Sequence, residues 1–219
     1  MYQCCKYSIL SPDEKTFYVS DIGQLIECDA DEGLVCNEEV SVLAAAGCLH
    51  CQGNVFLNEK EMRNAIFWSM NTSEDNSQYA SFFRNRNSVK KFKLDVKDTH
   101  TKMGSGLFAG EDIDVPLEEA STTSHIVIGE YVGLLHNCSS SGAYSMAYYI
   151  SSGNGFDQHW QIDAKEYGGL LRFINHSTYF PNVKFVNVFY GHLWHVLVVS
   201  AVVFEYLRRV LLTPSAYLL

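Results

Sequence analysis

The chain has 219 residues, 47% of them hydrophobic and 19% charged, which is enough for one large domain or two small ones with a real core. Its 13 Tyr and 13 Phe against only 4 Pro exclude long disorder, and a net charge of −9 argues against a general nucleic-acid binder. An acidic surface suits a cationic partner such as a lysine-rich peptide, although charge alone requires no more than solubility.

Residues 1–57 carry two basic side chains, Lys6 and Lys15, and nine acidic ones. The runs YQCCKYSIL, KTFYVSD and GQLIECDADEG predict short strands and turns. EEVSVLAAAGCLHC predicts a short helix ended by Gly47, and NEKEMRNAIFWSM, residues 58–70, an amphipathic helix capped by Asn58. Seven cysteines at irregular spacing, with no long apolar run in MYQCCKYSIL, predict reduced thiols in an intracellular protein, nuclear or cytoplasmic. Cys48 and Cys51 form a CxxC, which is half of a zinc site; without a second clean pair, no metal centre is expected.

Residues 82–93, FFRNRNSVKKFK, interleave Phe with basic side chains. Such a stretch suits either a nucleic-acid patch or a solvated linker or strand, and the acidic balance favours the second. From residue 99 the texture changes. Gly-rich turns separate Val/Ile/Tyr-rich runs, which predicts short β segments and a domain boundary near residue 98. VPLEEASTTSH, residues 115–125, is expected to be a surface insertion. The apolar stretch 193–207, LWHVLVVSAVVFEYL, contains His195 and Glu205 and falls short of the ~20 apolar residues of a membrane span. It predicts a buried strand leading into a short helix, and no membrane partner is expected.

Four motifs follow one another in this second half. Gly104 and Gly106 flank Ser105, a spacing that lets a backbone approach a ligand closely and equally suits a β-turn. The third glycine and helix of a dinucleotide fingerprint are missing. EYVG follows at 130–133, IDA at 162–164 and RFINHS at 172–177, with Asn182 after it.

In this order the motifs resemble the SET domain of protein lysine methyltransferases. The resemblance covers residues 99–219. It implies a mainly β, α+β fold: small curved sheets around a C-terminal pseudoknot, preceded here by an N-terminal α+β extension, residues 1–98, of unassigned role. It implies S-adenosylmethionine as cofactor, with the main chain of Gly104, Ser105 and Gly106, the ring of Tyr148, and Arg172, Phe173, Asn175 and His176 around it. His176 is expected to be a buried orienting residue. Tyr131 is the expected catalytic residue, beside a lysine channel where the resemblance also places Phe185, a residue that leaves room for a second or third methyl group.

The chain departs from the family pattern at three places. Gly169 stands where Asn is usual, and STYFPN has one extra residue before Pro181. After VSA the chain runs VVFEYLRRVLLTPSAYLL, with Arg208 and Arg209 in place of an acidic turn and Ser215 near the position of the closing tyrosine. Tyr217 is the expected substitute, with Tyr206 less well placed. The implied function is a protein lysine N-methyltransferase whose partner is a protein segment with a target lysine, a histone tail by resemblance. The altered tail also suits a catalytically weak SET-like interaction module.

Overall fold

The computed structural model describes residues 6–9, 16–19, 25–28, 37–51, 53–70, 79, 82–83, 91–102, 104–113, 126–138, 142–150, 158–176, 181–191 and 193–200. The stretch expected to form a surface insertion lies outside these residues, as do the tail after Ser200 and its Tyr206, Ser215 and Tyr217.

The first half begins with strands β1 (Lys6–Ile9), β2 (Thr16–Val19) and β3 (Leu25–Cys28), which form an antiparallel meander. Helix α1 (Asn37–Ala45) stops two residues before Gly47, as the sequence predicts. Two short strands, β4 (Leu49–His50) and β5 (Val55–Phe56), lead into α2 (Glu59–Met70). Asn58 caps that helix: its Oδ1 accepts from the Glu61 amide at 3.0 Å, satisfying one of the amides left unpaired at a helix start. Met62, Ala65, Ile66 and Ser69 are buried at i, i+3, i+4 and i+7, so one stripe of α2 faces the core.

The second half opens with the hairpin β6 (Leu94–Asp98) and β7 (Ser105–Ala109). Then come β8 (Val127–Tyr131), β9 (Gly133–Asn137), β10 (Ser145–Ile150) and β11 (Gln158–Gly168). A 3-10 helix, Leu170–Phe173, precedes the hairpin of β12 (Val183–Tyr190) and β13 (Leu193–Ser200). All eight residues of β13 are buried, as a continuous Val-rich run should be when it lies between two strands, here β12 and β8. It is a strand, and among the described residues no helix is long and apolar enough to cross a membrane.

The larger sheet runs β10-β11-β9-β5-β1-β2-β3, with β4 added on β11. Strands from residues 6–56 are therefore hydrogen-bonded into the same sheet as β9 and β11. Three of the joints, β1 with β5, β5 with β9 and β4 with β11, are parallel. The predicted boundary near residue 98 falls at the end of β6, within the β6–β7 hairpin.

Gly133 stands at a close approach between β9 and β11. The ladder runs regularly to Asp163↔Leu134, then jumps to Gly168↔Gly133, so residues between Asp163 and Gly168 bulge out of it. A Cβ on Gly133 would lie 2.6 Å from the Asp163 carbonyl oxygen and 3.0 Å from Ala164 Cα, both backbone atoms that cannot swing aside. Gly133→Ala is expected to destabilise the protein by about 1–3 kcal/mol, the usual cost of overpacking. A thermal melt beside wild type checks it.

Candidate active site

The EYVG segment is where the chain changes sheets. Tyr131 is the last residue of β8, paired with Val196 in the three-stranded sheet, and Gly133 is the first of β9, in the larger one. Tyr131 thus sits at a corner, held from both sides. It is buried, and its hydroxyl donates to the Tyr144 carbonyl at 2.7 Å. Phe185 of β12 meets its ring edge-on, with centroids 5.7 Å apart and planes at 85°. Phe185 itself is 36% exposed, so this ring pair reaches from the core to the surface. Burial pushes the Tyr131 phenol above its ordinary value; the nearby Arg172 guanidinium pulls the other way without cancelling it. The hydroxyl is therefore neutral at physiological pH. With its proton committed to Tyr144, its oxygen lone pairs are left as acceptors.

The β11 bulge explains Arg172. Carbonyls that leave a ladder need other donors. Arg172, buried in the 3-10 helix, supplies them: Nε donates to the Ala164 oxygen at 2.7 Å and Nη2 to the Lys165 oxygen at 3.3 Å. Its guanidinium carbon lies 4.0 Å from the Tyr144 ring centroid and 5.0 Å from that of Phe173. Tyr144 is the hub of the cluster. Its carbonyl takes both the Tyr131 hydroxyl and the Ala164 amide, and its ring carries Arg172.

The glycine pair lies at the β6–β7 turn. Gly104 has φ +71, which favours glycine, and its carbonyl accepts from the Thr99 amide at 2.9 Å. Asn175, just beyond the 3-10 helix, reaches this turn from a distant part of the chain: its Nδ2 donates to the Ser105 carbonyl at 3.5 Å. The turn reading and the ligand-approach reading of these glycines are thus compatible. Gly104 and Ser105 are exposed, and a Cβ at Gly104 would meet nothing within 4 Å.

Of the other residues the resemblance gave to the cofactor, Gly106 and Phe173 are buried. Tyr148 is 1% exposed, with its hydroxyl donating to the Trp194 carbonyl at 2.7 Å. Burial pushes its phenol up as well. His176 corrects an expectation: it is exposed, not buried. The cause is local. The chain turns extended at Ile174, after the buried run Leu171–Phe173, and carries His176 out of the core.

Cys48 of the CxxC is buried and Cys51 half-buried, neither in a disulfide, and burial raises the Cys48 thiol above its ordinary range. Among the described residues no group of three or more His, Cys, Asp or Glu is placed to hold a metal. In the basic stretch, Phe83 is buried and stacks on Tyr190 at 4.8 Å, so this ring belongs to the core and is no platform for bases. Three further residues around these elements carried no recognisable signal in the sequence. Tyr144 acts through its carbonyl, which every residue has. Asn54, whose Oδ1 accepts from the Gly133 amide at 3.3 Å, comes from a region with no motif. His195 read only as a polar interruption in an apolar run.

No family model matches the chain, and no curated protein matches it. Solved structures do. A crystal structure of ATXR5 in complex with mono-methylated histone H3.1 superposes with a TM-score of 0.54 at 14% identity, covering 73% of this chain and 77% of that one. KRYPTONITE in complex with mCHH DNA, an H3 peptide and SAH gives a TM-score of 0.41 at 23% identity, over 54% of this chain and 22% of that one. ctPRC2 bound to S-adenosylmethionine gives 0.38 at 21%, over 51% and 14%. At the last two scores the likeness is local. The fold is mainly β and SET-like, small curled sheets with few helices, as the motifs implied.

Proposed function

We propose that the chain is an S-adenosylmethionine-dependent protein lysine N-methyltransferase acting in an intracellular compartment, nuclear or cytoplasmic. The reading rests above all on one observation. A buried, neutral tyrosine stands at the corner of two sheets with its hydroxyl proton already committed and its oxygen available as an acceptor.

The residues present fit the cofactor. A sulfonium cation is favoured by carbonyl oxygens and aromatic rings, and the site offers the Ser105 carbonyl with the Tyr131 and Phe185 rings. Open space over Gly104 leaves the turn approachable, and Asn175 supplies both a donor and an acceptor for an amino-acid group. Gly104, Ser105, Gly106 and Asn175 would make the direct contacts, with Arg172, Phe173 and Tyr148 supporting them. When bound, S-adenosylmethionine supplies the electrophilic methyl group.

The chain's own part is positioning. Tyr131 accepts from the lysine amine and aligns its lone pair. Burial of the amine lowers its pKa and helps it lose its proton. Alignment of this kind can supply about 7–11 kcal/mol of a barrier. Phe185, against Tyr131, forms a wall without a hydroxyl and leaves space for further methyl groups. The acidic balance of −9 suits a basic target, and a histone tail is the substrate class proposed.

Asn175→Ala tests the cofactor half of this reading. Titration calorimetry with S-adenosylmethionine is expected to show affinity lowered about tenfold, the loss of one or two hydrogen bonds to a charged ligand. Equal affinity in the variant would remove Asn175 and the Ser105 turn from the site. Binding by wild type with no methyl transfer would favour the interaction module.

A further inference from the structure

A buried polar cluster lies on the far side of the three-stranded sheet from Tyr131. His195 Nδ1 and Glu130 Oε1 are 2.6 Å apart, with side chains 1% and 3% exposed. His195 Nε2 lies 3.1 Å from the Tyr190 carbonyl. A carbonyl only accepts, so Nε2 carries a proton and donates to it. Nδ1 then either accepts from a protonated Glu130 or donates to a charged one, and in both cases the pair as a unit is neutral. The Phe83 ring, 4.6 Å from the His195 ring by centroid, covers it from the first half of the chain.

The pair is a diagonal tie across the β8–β13 ladder. Leu197 is the register partner of Glu130, and His195 lies two residues along the same face. Each member adjoins an anchor of a tyrosine. Glu130 precedes Tyr131, whose backbone is paired with Val196. His195 follows Trp194, whose carbonyl receives the Tyr148 hydroxyl. Ser69, at the end of α2, sits against that same hydroxyl, and Glu130 acts on it electrostatically. An apolar pair would fill this volume equally well, but without direction. Two hydrogen bonds in series fix where β8 and the β12–β13 hairpin end lie relative to each other.

We propose that Glu130 and His195 are positioning residues that hold the Tyr131 and Tyr148 hydroxyls in place for methyl transfer, an inference that rests on the methyltransferase reading. It is tested with Glu130→Gln, Glu130→Leu and the double variant Glu130→Leu/His195→Phe. Gln keeps the bond, its amide donating to Nδ1. Leu alone leaves a buried nitrogen unpaired. The double variant removes both polar groups and is expected to melt near wild type, because replacing a buried pair by apolar side chains is often neutral.

Two readouts decide. The first is hydroxyl-proton exchange at Tyr131 and Tyr148, read from the isotope splitting of the ring Cζ carbons; it needs no activity. The second is kcat and KM with a histone peptide. The expected result is slow exchange in wild type and Gln, fast exchange in the double variant, and a kcat about tenfold lower there at unchanged KM. A double variant with wild-type exchange and kcat would overturn the proposal. So would equal losses in Gln and Leu, even if the double variant fails to fold. If wild type transfers no methyl group, the functional reading fails, while the exchange rates still decide the positioning.

Discussion

Replacing Tyr131 by Phe is expected to lower kcat for methyl transfer about a hundredfold or more, with the protein still folded. The substitution deletes one oxygen. The ring keeps its edge contact with Phe185, and the loss to stability is the single hydrogen bond to Tyr144, about 1 kcal/mol. On the methyltransferase reading, what disappears is the acceptor proposed to align the amine. The same variant has a signature in pH. Burial keeps the Tyr131 and Tyr148 phenols neutral in the fold at pH values where the unfolded chain ionises them. That contribution to stability is fully present below the ordinary value of 10.0 and is lost as pH rises through the folded values above it. Melting temperature should therefore fall above about pH 10, and Tyr131→Phe should flatten the fall, since one of the buried phenols is gone. An equally steep fall in the variant would mean that Tyr131 is not held neutral by burial.

Arg172→Leu is expected to cost about 3 kcal/mol of stability, the sum of two charge-assisted hydrogen bonds and a stacked guanidinium less the cost of burying the charge. In a chain of this size that is roughly 6–12 °C in Tm. The reason lies in the β11 bulge. Leu fills the volume but leaves the Ala164 and Lys165 carbonyls without their donor. The 3-10 helix is thereby untied from β11, and with it Asn175, three residues on. Arg172→Lys should recover only part of the loss, because an ammonium cannot repeat the planar fork. Melts of the three proteins check the order: wild type, Lys, Leu. A Leu variant as stable as wild type would show that the bulge holds itself.

Helix α2 was legible because its signals are local: a capping Asn58 and an apolar stripe within four turns. Strand β13 was legible because a fully buried strand needs a mostly apolar run, here interrupted by His195. The parallel joints of β1, β5 and β9 were not, since pairing between distant segments leaves no trace in either one. Of the candidate site, Tyr131, Asn175 and the glycine pair were read as motif residues, and the structure brings Asn175 to the Ser105 turn. The burial of His176 was misjudged, because the place where a 3-10 helix lets the chain out depends on packing. Arg172 was identified, but its partners were not: carbonyls freed by a bulge have no side-chain signature. Glu130 was quoted as part of EYVG, yet its pairing with His195 joins residues 65 apart in the chain.

The most direct measurement is transfer of labelled methyl groups from S-adenosylmethionine to core histones and lysine-rich peptides by the wild-type protein. Label on lysine is expected, lost when Tyr131 is replaced by Phe. No label, from a protein that calorimetry shows to bind S-adenosylmethionine, would contradict it and leave a SET-like fold that binds without catalysing.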